Sequence, residues 1–263
     1  GSIFSWPGIK RKCYRNSLFA SLNVALIQLV HHQILKTWSS KVSRFIALSD
    51  FVRQKLIESG LPESRITVKP NFVTPDPGPG NHDLHQFVFV GRLSSEKGIR
   101  TLINAWKLLF EQGRLKGYRL KVIGDGPEKE AMEAHASQLP VEFSGRMSSE
   151  ETLEELGRSR CLVFPSEWYE TFGRVAIEAY AKGIPVIASG IGAVQELVRE
   201  ERTGLLFEPG NVAALAEKIE LIISQPETAK AMGNYAREVY LEHYSPKSNI
   251  LMMEALYQSV ISK

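Results

Sequence analysis

The stretch that decides the fold is FVFVGRLSSEKG, residues 87–98, together with residues 99–111 that follow it. Residues 87–90 form an apolar run of strand length, Gly91 to Gly98 make a polar turn, and residues 99–111 carry apolar side chains at helical spacing. A strand that leads through a short turn into an amphipathic helix is the unit from which βαβ folds are built. The sequence therefore predicts a parallel sheet here.

The same alternation recurs on both sides of this stretch. Further strands are predicted at residues 44–48, 66–68, 120–123, 141–143, 161–164, 185–188 and 204–207. Helices are predicted between them at residues 51–59, 128–138, 149–156, 174–182 and 193–200, and then helices alone at 212–224, 229–243 and 247–262. The predicted fold class is α/β, with a Rossmann-like, doubly wound parallel sheet.

The domain organisation is predicted from a segment that is rich in turn residues. Four prolines and two glycines interrupt all periodicity between Pro70 and His85, and such composition is typical of linkers. We interpret residues 73–85 as a linker between a first domain (1–72) and a second (86–243). Residues 244–263 predict a closing helix that packs back towards the first domain. Because the first part has only two predicted strands, we expect it to be the remnant of a second Rossmann-like domain, truncated at its N-terminus.

Composition excludes several classes of protein. The chain has 263 residues, 43% of them hydrophobic, and a formal net charge of +3. These proportions exclude a disordered or collagen-like chain, and so small a charge predicts no nucleic-acid partner. The two cysteines, Cys13 and Cys161, lack metal-ligand spacing, so we expect no metal site and a cytoplasmic location.

The N-terminal part raises the question of membrane contact. The apolar stretch 18–35 contains Ser21, Asn23 and Gln28, which predicts that it does not span a bilayer. No signal peptide is recognised. The basic residues between Lys10 and Arg15 are interpreted as a solvated face; the alternative is peripheral contact with the inner face of a membrane, as in a membrane-apposed scaffold.

Two basic residues are the first candidates for chemistry. Arg92 and Lys97 lie on the turn after strand 87–90, and ligands of open parallel sheets bind beyond the carboxyl ends of the strands. An Arg fork beside a Lys ammonium suits a diphosphate. The alternative is a solvated charged turn in which Glu96 pairs with a neighbouring cation.

An acidic loop is the second candidate. In FPSEWYETFGRVAIEA, residues 164–179, Glu170 precedes the predicted helix start near Gly173 and Glu178 lies two turns further on. The backbone amides of Thr171, Phe172 and Gly173 can bind phosphate at the helix start, while Glu170 accepts hydroxyl protons from a sugar and Glu178 reaches a ribose. The alternatives are a helix-capping Glu170, an exposed surface Glu178, or the carboxylate pair of a glycosidase, which would not require phosphate sites.

Glycine turns follow two more strands. Gly124 and Gly126 would let the backbone approach a ligand, but Lys129 stands where a dinucleotide fingerprint needs its third glycine. After strand 141–143, Arg146 and Met147 could offer a surface to a nucleotide base. The alternative for both stretches is an ordinary tight turn at a strand end, and a short Gly-x-Gly is more often only that.

The ordered series Gly91-Arg92-x4-Lys97-Gly98, Gly124-x-Gly126-Pro127, Phe143-x-Gly145 and Glu170-x7-Glu178 resembles the retaining nucleotide-sugar glycosyltransferases of the GT-B fold, family 4 (glycosyl transferases group 1). The resemblance runs from about Phe87 to the C-terminus and continues upstream through residues 42–49 and 68–72. It implies a GT-B fold whose second domain binds the donor. Acceptor-side residues of the family lie mainly outside the matching stretch.

The resemblance also implies a role for each candidate site residue. Arg92 and Lys97 would hold the donor diphosphate, and Glu170, with the backbone of residues 171–173, would hold the sugar hydroxyls. Glu178 would bind the ribose, and Arg146 and Met147 would lie near the base, with Gly91, Gly124 and Gly126 lining the donor site. A hexose would pass, with retention of configuration and without a metal or other cofactor, to a sugar or lipid-linked acceptor in polysaccharide or glycolipid synthesis. The alternative is a noncatalytic nucleotide-sugar-binding module of the same fold.

Overall fold

The computed structural model describes residues 6–262, apart from the side chains of residues 32, 33 and 39. Residues 1–5 and 263, which the predicted first domain and closing helix include, lie outside the described residues. The described chain divides into two compact units, one of residues 6–69 with 256–262 and one of Pro70–Ala255. The predicted linker, residues 73–85, is counted in the second unit, and the predicted domain bounds stay a prediction.

The first unit is mainly helical. Its helices are α1 (Trp6–Lys10), α2 (Leu18–Leu29), α3 (Thr37–Lys41) and α4 (Asp50–Glu58), and its strands are β1 (Phe45–Ala47) and β2 (Ile66–Val68). The two strands pair in parallel. Ser17 and Ser49 cap α2 and α4, because each side chain accepts a backbone N–H from the first turn.

The second unit is built on a six-stranded parallel sheet. Its strands are β3 (Gln86–Val90), β4 (Arg119–Ile123), β5 (Val141–Gly145), β6 (Cys161–Phe164), β7 (Val186–Ser189) and β8 (Gly204–Phe207), in the spatial order β5-β4-β3-β6-β7-β8. The chain starts at β3, winds outward to β5, and returns to β6 on the other side of β3. This reversal makes the carboxyl ends of β3 and β6 a topological switch point.

The helices between and after these strands complete the second unit. They are α5 (Ile99–Glu111), α6 (Lys129–His135), α7 (Ser149–Arg158), α8 (Arg174–Lys182), α9 (Gly192–Leu197), α10 (Val212–Ser224) and α11 (Pro226–Val239). The last helix, α12 (Pro246–Ile261), begins in the second unit and ends in the first. The apolar stripe of α5 buries Trp106 completely, with its ring edge-on to Phe87 of β3 at 5.6 Å between centroids.

The fold class predicted from the sequence is confirmed, and α5, α8 and α10 have the predicted bounds. Other bounds were wrong. The helix predicted at 193–200 ends at Leu197, because Val198 is extended. The helix predicted at 229–243 starts at Pro226, since proline is tolerated in a first helical turn, and gives way to a π-helical turn at Tyr240–Tyr244.

The segment that enters the second unit runs along two of its helices. Gly80 donates its N–H to Lys182 O at 2.8 Å, and Leu84 donates to Arg158 O at 3.0 Å. Asp76 accepts two hydrogen bonds of 2.7 Å from the guanidinium of Arg237 on α11. These bonds fix the chain before β3 begins.

Across residues 6–262, no helix is both long and apolar enough to cross a membrane.

Candidate functional site

Two neighbouring cavities open at the carboxyl ends of the central strands. The first, of about 300 Å³, lies between the turn after β3 and the loop that joins β6 to α8. The second, of about 760 Å³, lies between the turns after β3, β4 and β5. Val90, Gly91 and Arg92 border both cavities, so together they form one cleft at the switch point.

The cleft brings together all but one of the predicted site residues. The first cavity is lined by Gly91, Arg92, Lys97, Glu170, Thr171, Phe172 and Gly173, among others. The second is lined by Gly91, Arg92, Gly124, Gly126, Arg146 and Met147, among others. Glu178 is the exception, since it borders neither cavity. The roles predicted for these residues stay predictions.

Lys97 and Glu170 are in direct contact. Lys97 Nζ donates to Glu170 Oε1, and Ser166 Oγ donates to the same oxygen at 3.0 Å. A cation from the turn after β3 and a carboxylate from the loop after β6 therefore meet inside the first cavity.

A glycine sets the distance between these two segments. Gly98 ends the short 3-10 turn Ser95–Lys97 with φ of +67°, and a Cβ at this position would lie 1.8 Å from Pro165 O. The backbones touch here, and Glu167 N–H bonds to Glu96 O at 2.9 Å. Only a residue without a side chain allows Lys97 to come so near Glu170.

Gly124 and Gly126 have a packing role. A Cβ at Gly124 would lie 1.8 Å from Gly91 O, and one at Gly126 would lie 2.3 Å from Leu93 O. Leu93 also donates its N–H to Asp125 O at 3.0 Å. The space that these glycines leave open is filled by the backbone of the turn after β3, which is therefore held against the turn after β4.

The start of α8 forms one wall of the first cavity. Gly173 precedes this nine-residue helix with φ of +94°, and residues 171–175 all line the cavity. The first N–H groups of a helix have no partners within it, and the helix dipole adds partial positive charge. This wall can bind an anion.

Glu178 lies on α8, one helical turn after Arg174 of the cavity wall. Arg174 Nε donates to Glu178 Oε1 at 3.0 Å, and the carboxylate side chain is only 15% exposed. Burial raises the pKa of Glu178, and Arg174 opposes the rise. The alternative of an exposed surface residue is therefore wrong, while its contact with a ribose stays a prediction.

Arg146, by contrast, is open to solvent. Its side chain is 83% exposed, and its Nε lies 3.9 Å from Asp125 Oδ2. The arrangement leaves the guanidinium able to turn into the second cavity.

Within the described part of the chain, no three His, Cys, Asp or Glu side chains form a group that could hold a metal ion, and the expected metal-free chemistry stays a prediction.

Sequence reasoning assigned no role to several residues that border the cleft, among them Asn71, Ser166 and Asp125. Asn71 and Ser166 line the first cavity and Asp125 lines the second. Ser166 had a detectable signal, because it lies between the end of a predicted strand and a candidate acid. Asn71 lies within the stretch 68–72 that the resemblance covers, but nothing in the local pattern places it near β3.

Comparison with known proteins identifies the family. The family model described as Glycosyl transferases group 1 matches residues 76–239. A sulfoquinovosyl transferase from Arabidopsis thaliana is 33% identical over 154 residues, which are 57% of this chain and 29% of that protein. A 2-deoxystreptamine glucosyltransferase from Streptomyces kanamyceticus is 30% identical over 179 residues, 66% of this chain and 46% of that protein. The chain thus spans less than half the length of these relatives.

Solved structures show the same fold. HepE of Anabaena in complex with UDP-glucose superimposes with a TM-score of 0.75 at 20% identity, over 95% of this chain and 70% of that one. Sucrose-phosphate synthase from Thermosynechococcus elongatus gives 0.75 at 24% identity, over 97% and 65%. The GT-B type of fold predicted from the motifs is confirmed. Since the family model covers more than half of the sequence, this chain belongs to the glycosyl transferases group 1.

Proposed function

We propose that the protein binds a nucleotide diphosphate sugar in this cleft and transfers the sugar to an acceptor with retention of anomeric configuration. The observation that carries the proposal is the first cavity, where Arg92, the Lys97–Glu170 pair and the start of α8 meet. The family and the UDP-glucose complex of HepE support it. The volumes of the two cavities lie within the range of small-ligand sites, about 300–1,000 Å³.

The cations and the helix start act on the leaving group. Arg92 and Lys97 bind the diphosphate, and the amides before Arg174 donate to its oxygens. As the glycosidic C–O bond breaks, its electron pair passes to the diphosphate, and these groups stabilise the growing negative charge. No divalent ion is needed for this step.

The remaining residues fix the other parts of the donor. Glu170 accepts hydrogen bonds from the sugar hydroxyls, and Glu178 binds the ribose once Arg174 turns aside. Arg146 and Met147 border the base. The acceptor hydroxyl attacks from the face that the diphosphate leaves, and its proton passes to a phosphate oxygen. We propose a hexose as the donor sugar and a sugar or lipid-linked acceptor at the cytoplasmic face of a membrane, in polysaccharide or glycolipid synthesis.

A thermal-shift series tests donor binding. UDP-glucose, GDP-mannose and ADP-glucose are added to the chain, and at least one is expected to raise its melting temperature. In the double variant Arg92→Ala/Lys97→Ala the affinity should fall by about 100-fold or more, since hydrogen bonds to charged groups contribute about 1.5–3 kcal/mol each.

Arg100→Ala is the matched control. Arg100 is a nearby cation that contacts Glu128 at 3.5 Å and borders neither cavity, so its loss should leave the shift unchanged. The proposal fails if no nucleotide sugar shifts the melting temperature, or if the double variant and Arg100→Ala lose binding alike. Donor binding without transfer to glucosyl or lipid-linked acceptors, even by a chain extended to the length of its relatives, would favour the noncatalytic module.

A further inference from the structure

Ser166 is a buried hydroxyl between the two charged segments of the cleft. It follows β6 and is only 3% exposed. Its Oγ lies 3.0 Å from Glu170 Oε1, 3.1 Å from Glu96 O and 3.3 Å from Trp168 O. One side chain thus reaches the acidic loop and the basic turn.

The hydroxyl proton has one best acceptor among the three. A serine can donate only one hydrogen bond at a time, and Glu96 O already accepts the N–H of Glu167 at 2.9 Å. A carboxylate is the stronger acceptor, and Glu170 is also the nearest. The proton of Ser166 therefore points to Glu170.

Lys97 is the second partner of that carboxylate, and in the proposed function it also binds the donor diphosphate. Lys97 lies beside Arg92 in the cavity wall, and a diphosphate there would draw its ammonium away from Glu170. Ser166 cannot follow, because its loop is fixed by Glu167 N–H on Glu96 O. It would keep Glu170 in place while Lys97 turns.

We propose that Ser166 is a positioning residue, which holds the Glu170 carboxylate towards the donor sugar and so sets the preference for a nucleotide diphosphate sugar over the bare nucleotide diphosphate. The inference rests on the proposed function, in which Glu170 contacts the sugar. Ser166 acts through Glu170 and not on the diphosphate. Its removal should weaken binding of the sugar moiety and leave the nucleotide moiety bound.

The test is the ratio of two dissociation constants. Calorimetry measures the dissociation constant of the nucleotide sugar that gives the largest thermal shift in the panel. It then measures the dissociation constant of the same nucleotide diphosphate without its sugar. Ser166→Ala should lower the preference for the sugar form by about tenfold, because a hydrogen bond to a charged group is lost. Affinity for the bare nucleotide should stay within about twofold.

A second variant guards against loss of the fold. Ser166→Cys keeps the size of the side chain nearly unchanged but donates weakly, so it should shift the ratio in the same direction by a smaller factor. Thr101→Val is the matched control. Thr101 Oγ1 donates to Glu167 Oε1 at 2.5 Å, between α5 and the same loop, and is 7% exposed. Its removal should leave the ratio unchanged.

A double-mutant cycle with Glu170→Ala separates positioning from general packing. If Ser166 acts through Glu170, Ser166→Ala changes the ratio in the native chain and leaves it unchanged in the Glu170→Ala background. An equal effect in both backgrounds overturns the inference, as does an unchanged ratio in the single variant. If Glu170→Ala itself leaves the ratio unchanged, the sugar-binding role of Glu170 in the proposed function is wrong, and the role of Ser166 with it.

Discussion

At the scale of single residues, Gly98 decides how closely the two sides of the cleft approach. Its φ of +67° lies in the left-handed region, and the carbonyl of Pro165 occupies the place of a Cβ. Gly113 has nearly the same φ, +68°, but no atom within 4 Å of the corresponding position. A comparison of the two positions therefore separates the effect of the left-handed conformation from the effect of close backbone approach.

We expect Gly98→Ala to lower the free energy of unfolding by about 3 kcal/mol or more, because backbone strain and a backbone clash add together. Gly113→Ala should cost only about 1 kcal/mol, from left-handed strain alone. Urea unfolding of both variants measures the difference. Equal costs would show that the contact with Pro165 relaxes freely.

The sequence indicated the chemistry of the site better than the reasons for its shape. Arg92 and Lys97 could be placed because a turn after a parallel strand must lie at the carboxyl edge of the sheet. The packing of Gly124 against Gly91 could not, since it depends on which strands become neighbours. The ion pair between Lys97 and Glu170 was missed for the same reason: 73 residues separate them along the chain.

At the scale of elements, α7 begins with a capping box. Ser148 accepts the N–H of Glu151, and the Glu151 side chain accepts the N–H of Ser148. Ser148 directly follows Met147, which lines the second cavity. The cap therefore fixes both the start of the helix and the end of the turn that borders the cleft.

Ser148→Ala should lower stability by about 1 kcal/mol, as expected for the loss of an N-cap. Ser144→Ala is the control, because Ser144 donates only to the nearby Glu142 side chain at 3.1 Å and caps no helix. Thermal unfolding compares the two variants. An unchanged melting temperature for Ser148→Ala would mean that solvent replaces the cap at no cost.

Element bounds were predictable where periodicity and an end signal agree. The helix at 174–182 has glycine on both sides, and both glycines adopt positive φ. The helix predicted at 229–243 lacks such signals, and its π-helical end involves Tyr240, whose hydroxyl bonds to the distant Val73 O. Tertiary contacts of this kind leave no mark in the local pattern.

At the scale of the molecule, contacts far apart in sequence hold the second unit together. Asp76 and Arg237 join the beginning of this unit to α11, 161 residues away. The hydrogen bonds from Arg237, together with one from Gly78 N–H, hold the pKa of Asp76 below its usual value. A lowered pKa adds stability above the unfolded-state pKa, and this stability is lost as the pH falls through the folded-state value.

We expect Asp76→Asn to destabilise the protein at pH 7 by about 1 kcal/mol, in keeping with a two-point but partly exposed ion pair. The difference from the native chain should shrink as the pH falls below about 4. Asp83→Asn is the control, since its contact with Arg158 is longer, at 3.6 Å, and more exposed. Denaturant unfolding over a pH series measures both, and a gap that stays constant into acid would contradict the assignment.

The two cavities share one stretch of backbone, and this stretch fixes where the middle of a molecule that occupies both must lie. Any molecule that occupies both chambers must lay its midsection across residues 90–92 at the end of β3. Arg92 would then meet whatever lies at that point, so a compound with its anionic group at one tip would be out of register even if its total charge were the same. We therefore expect the cleft to distinguish molecules of equal total charge that carry their anionic group at different positions along their length.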